Sequence, residues 1–93
     1  MEKKEIQIKV REEDLKGLYS NLMQVSHTKE EFCLDFFNLF PPQGVLVSRI
    51  IVSPSHLKRI IMALEDNLKK YEEKFGKVEV AKEPERIIGF GQM

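Results

Sequence analysis

The chain has 93 residues, enough for one domain and one core. Its 15 Lys and Arg residues balance 15 Asp and Glu residues, for a formal net charge of zero at pH 7, which removes the long-range field that a general binder of nucleic acid or of an anionic membrane relies on. A chain this short buries only about 60–70% of the surface its unfolded form exposes, so it gains from pairing with another chain.

The charges are unevenly placed: residues 18–53 carry only Lys29, Arg49, Glu30, Glu31 and Asp35, which makes the middle of the chain the buried part. The single Cys33 excludes an internal disulfide, the start MEKKEIQIKV has no apolar leader core, and no apolar run approaches the roughly 20 residues of a spanning helix. A cytoplasmic protein with no membrane partner is expected.

Residues 5–11, EIQIKVR, alternate with Ile6, Ile8 and Val10 on one side, which predicts a strand with one wet face. The acidic stretch to Gly17 reads as a loop. Residues 18–28 predict a second strand, and HTKEE a turn into a third, EEFCLDFFNLF, giving a hairpin. Pro41 and Pro42 must break that strand, with Gly44 available for a left-handed turn conformation. A fourth strand follows over 45–52.

The third and fourth strands are apolar on both parities. Phe32, Leu34 and Phe36 point one way, and Cys33, Asp35, Phe37 and Leu39 the other; Val45, Val47, Arg49 and Ile51 alternate with Leu46, Ser48, Ile50 and Val52. Asp35 and Arg49 flank the Pro-Pro turn, and opposite charges on neighbouring strands can pair if they share a face. Such a pair reads either as a surface ion pair of little energetic weight or as a determinant of register at a contact.

Ser53 and Pro54 predict a helix start, Ser53 offering an oxygen to the orphan amides and Pro54 lacking only an N–H that would be unsatisfied there. Leu57, Ile60, Ile61, Leu64, Leu68, Tyr71 and Phe75 recur at spacings of three and four, and Gly76 ends the pattern. A helix over 54–75 would be about 33 Å long, as long as a strand of nine or ten residues. Beyond it, KVEVAKEPER suggests a short extended segment, and the tail to IIGFGQM is either flexible or a docking segment.

These elements predict a single α+β domain over 1–93 with its core in 5–76: a four-stranded antiparallel sheet followed by one long C-terminal helix packed on one sheet face. One helix cannot cover two faces. The second face therefore needs a cover, either another copy of the chain or an extended peptide or protein partner.

No constellation for catalysis, cofactor or metal stands out, and a non-enzymatic protein is expected. His27 and His56 lie far in sequence from Cys33 and from ligand spacing. Cys33 among aromatics reads as a small buried hydrophobe, and no phosphate loop, dinucleotide fingerprint or nucleophile elbow occurs. For nucleic acid the helix offers Lys58, Arg59, Lys69, Lys70 and Lys74, but Glu65, Asp66, Glu72 and Glu73 share it.

The ordered motifs Tyr19-Ser-Asn21, Val25, Glu31-Phe32-Cys-Leu34-Asp35-Phe36, Arg49-Ile50, Ser53-Pro54-Ser-His56, Asn67, Tyr71-Glu72 and Phe75-Gly76 resemble the short prokaryotic proteins of domain-of-unknown-function family 3467. The likeness runs from about Tyr19 to Gly76 and leaves residues 1–16 and those beyond Val80 outside it. It implies no activity, but it directs attention to Tyr19, Asn21, Asp35 and His56. The topology is also similar, by analogy only, to the SecB export chaperone fold, whose members assemble from dimers and hold unfolded chains in hydrophobic grooves.

Together these readings give two expected function classes. The first is a homo-oligomer, dimer-based, that binds protein or unfolded peptide through Cys33, Leu34, Asp35, Phe37, Val47, Arg49 and Ile51. The second is a nucleic-acid-associated regulator.

Overall fold

The computed structural model describes residues 4–81. In chain order it contains a single helical turn α1 (Glu12–Leu15), strands β1 (Leu22–His27), β2 (Phe32–Phe40) and β3 (Gln43–Val52), and helix α2 (Pro54–Phe75). The three strands form one antiparallel sheet in the order β1-β2-β3. The α+β class and the sheet-then-helix order agree with the sequence. The strand count does not, because among the described residues the sheet has three strands and not four.

The missing strand is residues 5–11, which join no sheet among the described residues. Alternation reports which side chains share a face but not which edge would pair with them. Ile6, Ile8 and Val10 are left 82%, 80% and 53% exposed. The following acidic stretch is not a plain loop: Arg11 donates from Nε and Nη2 to the Asp14 carboxylate, both at 3.0 Å, and closes the turn of α1.

The hairpin follows the sequence closely. Thr28 Oγ1 accepts from the N–H groups of Glu30 and Glu31, and the Thr28 N–H donates to the Glu31 carbonyl at 2.9 Å. At the start of β1, Asn21 imitates a strand residue with its side chain, accepting the Leu39 N–H and donating to the Leu39 carbonyl, both at 2.8 Å. The residues before it add no strand, so β1 is shorter than the expected 18–28.

Pro41 and Pro42 form a two-residue turn with a cis bond between them, and Gln43 and Gly44 already belong to β3. Gly44 does not adopt positive φ. Its use is space: it faces Leu39 across the strands, and a Cβ at 44 would overlap Leu39 Cδ2.

A β-bulge interrupts the β2–β3 ladder between Phe36, opposite Ser48, and Phe37, opposite Leu46, leaving Val47 extra. It puts Leu46 on the Phe37 side and Val45 opposite Asn38, so the strict alternation expected for residues 45–52 fails on the turn side of the bulge. Leu22, Leu34, Phe37 and Val52 make up the buried apolar core, at 4–8% exposure.

Helix α2 has the bounds the sequence predicts. Ser53 Oγ accepts the His56 N–H at 3.1 Å, Pro54 is the first helical residue, and Gly76 (φ 97°) donates its N–H to the Glu72 carbonyl at 2.9 Å. Its placement is different from the expectation. No residue of α2 is buried, and only Leu57, Ile60 and Glu72 are half-buried, so the helix is not packed along a sheet face. The connection explains this. Ser53 alone separates β3 from α2, and it is extended (φ −71°, ψ 156°), whereas strand-to-helix connections that fold a helix back over its sheet use about two to six residues. Residues 77–81 add no strand, though the Val78 N–H donates to Glu72 Oε2 at 2.8 Å. IIGFGQM lies outside the described residues.

Candidate protein-binding surface

The sheet's polar centre is the pair expected from sequence. Asp35 and Arg49 are direct cross-strand partners, and the guanidinium donates from Nε to Oδ1 at 2.6 Å and from Nη2 to Oδ2 at 2.9 Å. The bulge makes this possible. If the turn-side register of Phe40 opposite Gln43 ran on unbroken, residue 48 would face Asp35 and Arg49 would face Leu34, on the wrong side of the sheet.

Cys33, two residues along on the same face, donates its S–H to Asp35 Oδ1 at 3.6 Å. Asp35 is 7% exposed, whereas the Arg49 side chain is 51% exposed and leads from the pair to solvent. The hydrogen bonds and charge of Arg49 hold the Asp35 carboxyl below its ordinary range, against the opposing effect of burial, and Cys33 adds a smaller lowering; Arg49 is raised in turn.

A depressed carboxyl pKa stabilises the fold above its unfolded value near 3.8, and that stability is lost as pH falls through the folded value. We therefore expect the acid limb of the stability profile, below about pH 4, to be shallower in Asp35→Asn than in the wild type. Urea midpoints measured between pH 2 and 7 give the comparison; parallel profiles would show that the pair does not couple to folding.

Around this centre the other expected residues divide by role. Phe37 is 4% exposed within a single chain and offers almost no area to a partner, and Leu34, at 6%, is likewise core. Val47 is half-buried at the bulge. Ile51 is 56% exposed and does present area, as does Leu46, at 40%, which the sequence reading set on the other face. Asn21 has a structural task in holding Leu39. Tyr19 is 72% exposed, and His56 sits in the first turn of α2, where Arg59 Nη2 approaches its Nδ1 at 3.4 Å. The structure does not bring Tyr19 or His56 to the Asp35 centre through any described contact.

Two surfaces stand out beyond the site residues expected from the sequence. The first is the face shared by Met23, Val25, Phe40, Val45 and Ile50, each 37–51% exposed. The second is the outer edge of β1, which pairs with no strand among the described residues. Since Thr28 and Glu31 form a hydrogen-bonded pair, counting in twos turns the backbone groups of Met23, Val25 and His27 outward. A shallow concavity of about 340 Å³ runs beside this edge, lined by Met23, Gln24, Val25, Ser26 and Asp35. The hairpin pattern alone carried the signal for the edge.

Among the described residues no group of His, Cys, Asp and Glu could hold a metal ion, and no helix is long and apolar enough to cross a membrane. No curated protein and no solved structure matches the chain. A family model does match, over residues 1–80, so the family's domain includes the N-terminal arm that the motif likeness left out. With that arm, the hairpin, the charged pair and the capped helix all inside the matched region, the chain belongs to the DUF3467 family, described as proteins of unknown function.

Proposed function

We propose that this protein is a non-enzymatic homo-oligomeric module, built on dimers, that binds extended protein segments in a chaperone-like manner. The observation that carries the reading is the apolar surface exposed among the described residues. Ile61, Leu64, Leu68, Tyr71 and Phe75 on α2 are 46–65% exposed, and both sheet faces keep exposed aliphatic side chains. Contiguous apolar surface on this scale marks a contact site, and a second copy is the cover that every molecule has at hand. The β1 edge, unpaired among the described residues, has outward backbone groups and a concavity beside it and suits addition of an extended segment as a further strand.

A nucleic-acid role is not favoured by any observation on α2. Its basic residues alternate with acids, and Lys70 is paired to Asp66 at 3.0 Å.

Light scattering on the full chain and on a version ending at Val80 tests the oligomer. A stable multimer at micromolar concentration in both is expected. A monomeric full chain would overturn the reading.

A further inference from the structure

The exposed side of α2 has a regularity finer than a stripe. Leu57, Ile61, Leu64, Leu68, Tyr71 and Phe75 follow one another at spacings of 4, 3, 4, 3 and 4. That is an unbroken alternation of the two apolar positions of a heptad, the seam of a two-helix coiled coil rather than the broader face of a helix lying on a sheet. The sheet does not use this seam. All six are half-buried or exposed, and Leu64 and Phe75 are each 65% exposed.

We propose that α2 pairs antiparallel with α2 of a second copy, the two helices crossing level with Asp66. This rests on the homo-oligomer reading above and supplies its geometry. With the crossing at residue 66, each layer sets a larger side chain against a smaller or equal one: Phe75 on Leu57, Tyr71 on Ile61, Leu68 on Leu64. A parallel pair would instead stack Tyr71 on Tyr71 and Phe75 on Phe75.

The flanking charges point the same way. In the antiparallel pair Lys58 lies beside Glu72 of the second copy, twice per dimer by symmetry, and Asn67 meets Asn67, whose amides can donate and accept reciprocally. Glu72 already gives Oε2 to the Val78 N–H, and its carboxylate has a second oxygen to offer. The parallel arrangement would set Ile60 beside Glu65 and Asn67 beside Glu72, with no opposite charges within the helix. Glu65 facing Glu65 is the one unfavourable contact of the antiparallel choice, at a rim position open to solvent.

Spin labels at Ser55 and, separately, at Asp66, each in a Cys33→Ser background, read the orientation in the full chain. At 1.5 Å rise per residue the antiparallel pair separates the two Ser55 positions by about 33 Å along the axis but keeps the Asp66 positions level. A Ser55 distance clearly longer than the Asp66 distance is expected, Asp66 lying level but on the outer side of each helix. In parallel, Lys58→Glu and Glu72→Lys should each weaken the dimer about fivefold, and the double reversal should restore it to within about twofold.

Equally short distances at both sites would mean a parallel pair and would overturn the proposal. A multimer with long distances at both sites and no coupling between positions 58 and 72 would place the contact on the sheet, overturning this geometry while leaving the oligomer intact. A monomer would overturn both.

Discussion

Phe37→Ala should cost about 3–5 kcal/mol of folding stability, the usual result of emptying a buried aromatic site. Phe37 is 4% exposed and lies across from Leu22, itself 5% exposed, on one side and from Leu46 at the bulge on the other. Its backbone carbonyl is also a fixed point, accepting from the Ser20 hydroxyl at 2.8 Å and from the Asn21 N–H at 3.0 Å, so the start of β1 depends on β2 holding its position there. Domains of this size are stable by roughly 0.05–0.15 kcal/mol per residue. The substitution therefore removes a large share of the total, and a urea midpoint far below that of the wild type is expected. A variant with wild-type midpoint would show that the site is not core. For the same reason Phe37 is a poor probe of the subunit contact, because losing the fold and losing a partner would look alike.

Much of this architecture is legible in the sequence wherever a single residue type has one physical use. Ser53, Pro54 and Gly76 fix the ends of α2 because an amide acceptor, a residue without N–H and a residue tolerant of positive φ each fit one place in a helix. Asp35 and Arg49 are legible as a pair because they are the charged exceptions in two apolar strands joined by a short turn. The bulge at Val47 is not legible. The strand around it carries apolar residues at both parities, so a one-residue slip leaves little mark in the pattern, and the final alignment of Arg49 with Asp35 depends on it.

The arm at residues 5–11 and the stripe of α2 share a different difficulty. In both, the apolar pattern predicts burial within the chain, and the structure leaves Ile6, Ile8, Leu64 and Phe75 exposed, because a pattern does not say against what a face would pack. The one-residue connection at Ser53 was the available sign that α2 could not turn back over the sheet. The 4-3 spacing is what the proposed helix pairing rests on.

That spacing leads to the second large effect. Leu64→Glu combined with Leu68→Glu should convert the multimer to monomer, weakening association by more than about a thousandfold, because the two central layers of the seam would lose four leucines and gain four carboxylates. Within one chain the same change should be mild. Leu64 is 65% and Leu68 49% exposed, and substitutions at sites with so few contacts usually alter stability by no more than about half a kcal/mol. The sheet, whose core is Leu22, Leu34, Phe37 and Val52, contains neither residue. Mass by light scattering and strand content by circular dichroism should thus part company, the first falling and the second holding. Met62→Glu is the matched control. Met62 is 66% exposed, as open as Leu64, but it lies one residue past Ile61 and off the seam. If exposure alone governed association, Met62→Glu would be as disruptive as Leu64→Glu. If the heptad position governs it, the Met62 variant keeps its mass, and retention of the multimer by the Leu64→Glu, Leu68→Glu variant would remove α2 from the contact altogether.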